Sequence, residues 1–196
     1  MRYLVEVVER YGLCPWARAA RVGGEVAIEV VLGAPDDAAW IAASRRALAQ
    51  PAARVAMVVA PELAIARGEL GAVRDRVAAA IADAGVAEFH PDAPLDLATP
   101  ARAVPFARRS PDPLLQLVPL AILRAARGAP PVADRASQAA MLRDAVPPPA
   151  LAVADRIAAD NHDTLSALGR EIARVHDDIA RDRAASYARV GLVSYG

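Results

Sequence analysis

Three short stretches hold the side chains best suited to chemistry: Cys14 in GLCPWA, His90 in FHPD and Arg109 in RRSPDP. Cys14 precedes a proline, and proline favours the first turn of a helix. Cys14 is therefore expected at an N-cap, facing free backbone N–H groups and the positive end of the helix dipole, which favour a thiolate. Arg18, one turn on, adds positive charge. The same cysteine also fits a purely structural role as a small buried hydrophobe. Ala17 stands where a CxxC pair would need its second sulfur, and a single cysteine excludes both an internal disulfide and a multi-cysteine zinc site.

His90 closes a short apolar run. Ligands gather at the carboxyl ends of strands in open parallel sheets, and a histidine there can act as acid, base or metal ligand near neutral pH. Asp92 either orients that ring or serves as a turn residue. The alternative for His90 is a ring bonded to backbone at the strand end. In Arg108-Arg109-Ser110-Pro111, the serine suits an N-cap and the proline the first helical position. Two arginines beside a helix start would bind an anion through guanidinium forks and free N–H groups. They equally suit a helix start with both arginines in water. His162 and His176 are fourteen residues apart on one helical stretch, about 21 Å along its axis. They cannot share a metal within one chain, and both read as solvated polar-face residues.

Periodicity supplies the elements that must position these groups. Tyr3, Leu4, Val7 and Val8 make one helical face over 2–11, with Gly12 ending it. A short helical turn runs from Cys14 to Arg21. Strands are expected at 26–32, 54–60 and 86–90. Helices are expected from Asp36 or Asp37 to Leu48, and over 69–84 with Gly85 as terminator. Residues 91–113, with six prolines, read as a long functional loop, followed by helices over 114–127 and 133–145. Continuous apolar strands indicate burial on both faces. The expected class is α/β, with a small, mostly parallel sheet of three or four strands covered by helices. A ferredoxin-like arrangement is the alternative.

Residues 1–146 are expected to form this domain. Residues 150–190 form a long helix with apolar positions at 151, 154, 158, 165, 168, 172, 175 and 179, broken by Asn161. That spacing serves packing on the domain or self-association with a second copy. Gly169 falls within it and suggests a kink.

The bulk of the chain excludes several classes. Formal net charge is zero over 196 residues, against the basic surface that nucleic-acid binding needs. All 23 basic residues are arginine, which with so much alanine reflects a GC-rich genome rather than guanidinium chemistry. No apolar run approaches the roughly 20 residues that span a bilayer. Glu6, Glu9 and Arg10 interrupt the first apolar stretch, so it does not read as a signal peptide. A cytoplasmic location is expected, with no membrane partner, no cofactor and no metal.

Taken in order, GLCPWA at 12–17, FHPD at 89–92 and RSPDPLLQL at 109–117 resemble an uncharacterised family, catalogued as domain of unknown function number 1415. Its members read LCPFA or LCPWA, then FHPD, then NRSPYPMLHL. NHDTLSALG at 161–169 is similar to the family's NxxTLxxLG ending. The resemblance spans roughly residues 3–169 and carries over Cys14, Pro15, His90, Pro91, Asp92, Arg109, Ser110, Pro111 and Pro113. It implies that Cys14, His90 and Arg109 converge on one site. The family's Asn is Arg108 here, its His is Gln116, and its Arg-Glu is Pro119-Leu120. If the family's chemistry needs those groups, this member is altered. CPWA also resembles the single-cysteine CPFA helix start of glutaredoxin-like and omega-type glutathione transferase proteins.

The function expected is a cysteine-dependent enzyme acting on a small anionic molecule. Cys14 is the nucleophile, His90 the base and Arg109 the anion holder, with Arg18, Asp92, Arg108 and Ser110 as substrate-binding residues. The alternatives are a noncatalytic binding or assembly protein using residues 150–190, and a metal protein with Cys14, His90 and Asp92 as ligands.

Overall fold

A computed structural model describes residues 1–128 and 152–192; the helix expected over 133–145 lies outside them. Four strands, β1 (Val26–Val30), β2 (Val55–Val59), β3 (Ala84–Phe89) and β4 (Leu114–Pro119), form one sheet in the order β1-β2-β4-β3. The α/β class and the long C-terminal helix are as expected. β1 pairs parallel with β2, whereas β4 pairs antiparallel with both β2 and β3. Thus β1, β2 and β3 run the same way, as the sequence suggests, but two of the three ladders are antiparallel rather than parallel.

The cause is β4. LLQLVP was expected to begin a helix over 114–127, and is instead a strand that runs straight into helix α5 (Leu120–Gly128). Leu115 and Leu117 are fully buried on one face, while Gln116 faces the other and pairs with Met57 and Ala87. Ladders on both sides satisfy its backbone, and that pairing overrides the helix preference of leucine and glutamine.

The remaining helices are α1 (Ala17–Val22), α2 (Asp37–Leu48), α3 (Arg67–Ala80), α4 (Pro100–Ala107) and α6 (Val153–Arg189), preceded by a π-helix over Leu4–Glu9. Asp36 caps α2 by accepting the Ala39 N–H at 2.8 Å. α3 stops at Ala80, short of Gly85, which sits inside β3. A Cβ there would stand 2.7 Å from Leu123 Cδ1, so the glycine lets α5 lie against the strand. α4 occupies part of the expected loop. Thr99 caps it, and Pro100 takes the first turn, where a missing N–H costs nothing.

The side chains form two cores. The first packs α2 and α3 on the sheet: Trp40, Ala43 and Ala47 with Leu70, Val73 and Val77, over Ala56, Val58, Leu115 and Leu117. The second joins the π-helix, α4 and α6: Tyr3, Leu4, Val7 and Val8 with Ala103, Phe106, Leu165, Ile172 and Ile179. The buried seam of α6 is Asn161, Leu165, Gly169, Ile172, His176 and Ile179. Leu168 is exposed. Gly169 admits the tip of Leu95, whose Cδ2 would lie 2.9 Å from an added Cβ. Among the described residues, no helix is long and apolar enough to cross a membrane.

Candidate functional site

Cys14 lies in the turn joining the π-helix to α1, not at an N-cap. Helix α1 begins at Ala17 behind Trp16, and the Cys14 carbonyl accepts the Ala17 N–H at 3.2 Å. The turn is shaped from both sides. Gly12 adopts φ +66°, and the Leu13 N–H reaches back to the Val8 carbonyl at 2.9 Å in the wide π-helical pattern. From α6, Asn161 Nδ2 donates to the Leu13 carbonyl at 3.2 Å. This buried amide is the polar break in the apolar seam. The thiol is left half-buried against the second core.

Two groups outside the expected site stand in that core. Tyr3 is 9% exposed, and its hydroxyl has no hydrogen-bond partner among the described residues. Burial pushes the phenol's pKa up, Cys14 pushes it further, and Arg108 opposes both. The Cys14 sulfur and the Arg108 guanidinium therefore both lie within electrostatic reach of the Tyr3 hydroxyl. His176 is 4% exposed, not solvated, and its Nε2 also lacks a partner among the described residues. Its ring centroid stands 5.8 Å from that of Tyr3 and 5.9 Å, edge-on, from that of Phe106. Burial lowers its pKa to about 4, Arg109 adds to the shift, and Asp177 opposes it. The imidazole is neutral at pH 7.

His90 is 2% exposed and committed at both nitrogens. Nε2 donates to the Ile65 carbonyl at 2.9 Å, and Nδ1 accepts the Asp92 N–H at 3.0 Å. With Nδ1 accepting a backbone N–H, Nε2 is the ring nitrogen that donates. The exposed Asp92 carboxylate comes only to 4.0 Å from Nδ1. It is the Asp92 backbone that orients the ring.

Arg109 braces the same loop. Its Nε donates to the Pro91 carbonyl at 2.9 Å, and a terminal nitrogen meets Asp177 on α6 at 3.2 Å. Arg108, half-buried at the end of α4, has no carboxylate within ion-pair distance among the described residues. It shares a cavity of about 40 Å³ with His90, Arg67, Glu88, Ala93, Val104 and Pro105. That space suits a water rather than a ligand, since small-molecule sites run to about 300–1,000 Å³.

Ser110 does not start a helix, because β4 follows it. Its Oγ donates to the Asp112 carbonyl at 2.5 Å inside the turn. The helix-terminus anion site expected there is absent. Arg18 is exposed on α1, with its charge acting on Glu9. His162 is also held rather than solvated: its Nε2 donates to the Leu97 carbonyl at 3.0 Å.

Among the described residues Tyr3 stands against His176, Cys14 and Arg108 act electrostatically on the Tyr3 hydroxyl, Arg109 acts on His176, and Arg108 and His90 line one cavity. Tyr3 was legible only as a core residue. His176 was misplaced because the apolar seam was read through positions 168 and 175, one residue out of register. Among the described residues, no three His, Cys, Asp or Glu side chains are grouped so as to hold a metal ion. A larger groove of about 530 Å³ runs between α6 and the 95–97 loop, floored by Leu95, Leu97, Leu165 and Leu168. Comparison of the chain with family models, with curated proteins and with solved structures finds no match.

Proposed function

We propose that the chain is a cysteine-dependent enzyme acting on a small anionic substrate, centred on Cys14 with Tyr3 and Arg108. The observation that carries this reading is the buried Tyr3 hydroxyl, without a hydrogen-bond partner among the described residues and acted on electrostatically by both Cys14 and Arg108. Buried polar atoms without partners are rare in folded proteins and cluster where ligands bind. The Cys14 thiolate is the nucleophile, Arg108 holds the anionic group, and Tyr3 donates a hydrogen bond to the charge that develops as the new bond forms. His90 and Arg109 act as positioning residues, since their polar atoms already hold the 90–92 loop against Ile65 and α6. The ordered LCPWA, FHPD and RSP stretches support membership of the domain of unknown function number 1415 family. A reduced, solitary thiol fits a cytoplasmic setting. Self-association through α6 has less to rest on, because Leu165, Ile172 and Ile179 are buried within the single chain.

The test compares alkylation of Cys14 by iodoacetate and by neutral iodoacetamide. Relative to a free thiol in solution, the ratio should shift toward iodoacetate by about tenfold, the worth of one charge-assisted hydrogen bond. Arg108→Gln should remove the shift. An unreactive thiol, or a ratio unchanged by Arg108→Gln, overturns the reading.

A further inference from the structure

The sheet ends at two edges, β1 and β3, and they are unlike. No residue of β3 is exposed. In β1, Ile28 is 43% exposed and Val30 55%, with Leu32 just beyond at 59%. The Glu25 carbonyl accepts the Arg54 and Val55 N–H groups, and the Val31 N–H donates to the Val59 carbonyl, so the odd-numbered residues bond toward β2. Backbone direction alternates along a strand, which turns the N–H and C=O groups of Val26, Ile28 and Val30 outward. Among the described residues, β1 pairs with no strand but β2, and no turn or side chain bonds to those outward groups. Natural edges are usually blocked by outward charges, prolines or bulges. β1 keeps an unbroken register with β2 and contains no proline. Its charge, Glu29, is turned to the helix side, where Arg46 of α2 holds it at 3.2 Å.

We propose that β1 is the contact of a symmetric dimer, paired antiparallel with β1 of a second copy about a two-fold axis at Ile28. The strand VAIEV has β-branched residues at both ends and at its centre, and a two-fold contact needs that self-complementarity. Ile28 meets its own copy, and Val26 meets Val30. These are the residues whose N–H and C=O groups point outward, and in this register each opposed pair exchanges both hydrogen bonds. A slip by one residue sets outward groups against residues whose bonds are already spent on β2. The side chains of Val26, Ile28 and Val30 lie on the face away from α2, since Ala27 belongs to the first core and Glu29 to Arg46. Cross-strand pairs of β-branched residues thus close over apolar surface that is open in the single chain. On the helix side Glu29 comes opposite Ala27 of the second copy, so no like charges meet across the axis. The two sheets become one continuous sheet. This contact involves neither Cys14 nor α6.

One strand pair makes a small interface, so the dimer should dissociate on the order of 10 µM. Sedimentation velocity of the full chain from about 1 to 200 µM should show monomer giving way to dimer. Ile28→Pro removes only the outward N–H, a change that an edge strand tolerates. It should leave the circular dichroism of the fold in place and weaken the dimer about 100-fold, the loss of both hydrogen bonds at the axis. Ile28→Lys sets two like charges face to face and should weaken it as well, which covers the case of a proline variant that does not fold. The register is read by mild oxidation in a Cys14→Ser background. Ile28→Cys should give a disulfide-linked dimer, because opposed Cα atoms in such a pair stand about 5.5 Å apart. Val26→Cys should not, because the two copies of that position fall about 14 Å apart. A chain that stays monomeric at every concentration overturns the proposal and leaves the edge to a strand from another protein. A dimer unchanged by both Ile28→Pro and Ile28→Lys places the contact elsewhere and also overturns it. Equal cross-linking through positions 26 and 28 overturns the two-fold register.

Discussion

Each histidine in this chain is defined by what its two ring nitrogens meet. His90 spends both on backbone, so it cannot carry a proton between substrates without releasing the Ile65 carbonyl or the Asp92 N–H. His176 has no partner for Nε2 among the described residues, and burial lowers its pKa from 6.5 to about 4. The sign of the linkage follows. The unfolded chain takes up this proton as pH falls through 6.5, while the folded chain refuses it until about 4. Stability is therefore fully present above pH 6.5 and is lost between 6.5 and 4, by about 3 kcal/mol for this group. Urea midpoints at pH 7 and pH 4.5 should fall steeply for the wild type and much less for His176→Gln. Equal slopes would show that other groups carry the acid sensitivity. At this scale Cys14, Arg108 and Arg109 were legible as chemically capable side chains. Tyr3 was not, because a tyrosine on an apolar helical face looks the same whether or not its hydroxyl finds a partner.

At the scale of elements, α6 is the beam on which the candidate site is assembled. Asn161 holds the Leu13 carbonyl, His162 the Leu97 carbonyl, and Asp177 the Arg109 guanidinium. Further along, Arg183 reaches the Asp112 carboxylate and the Pro61 carbonyl, joined by the Tyr187 hydroxyl at 3.2 Å from Asp112. Burial pushes the Asp112 carboxyl up, against the pull of Arg183 and Tyr187. Removing one partner of a buried ion pair strands the other, at about 3–5 kcal/mol. Arg183→Met should cost that much in urea unfolding, and adding Asp112→Asn should recover a large part of it. A single variant within about 0.5 kcal/mol of wild type would show that the pair is solvated and weak. The helix itself was legible, because three-four spacing sustained from 151 to 179 has few other readings. Its register was not. Gly169 and His176 belong to the buried seam for local reasons, a leucine tip and an aromatic cage, that no hydropathy pattern records. β4 was misread for a related cause: LLQLVP is a strand only because β2 and β3 already stand on either side of it.

At the scale of the molecule, the two cores depend on different parts of the chain. The first is built from α2, α3 and the sheet, all within residues 27–117. The second needs Leu165, Ile172 and Ile179 from α6. A chain shortened after Gly169 should keep hydrogen-exchange protection in β2 and β4 while the amides of the π-helix exchange freely. Simultaneous loss in both regions would mean that the cores fold as one cooperative unit. The α/β class followed from strand-length apolar runs separated by helical patterns, which survive any ladder direction. The ladder directions did not follow, since the order of strands is decided by a segment whose strand character is itself tertiary.

The contact between Leu13 and Asn161 joins positions 148 residues apart. Tyr3, Leu4, Val7 and Val8 leave the ribosome long before Leu165, Ile172 and Ile179, which help to bury them. At ordinary elongation rates the nascent chain carries that greasy patch uncovered for on the order of ten seconds. Closing so distant a contact is also entropically slow. The charges at Arg2, Glu6, Glu9 and Arg10, which interleave with these apolar residues, keep the waiting segment in water until its partner arrives.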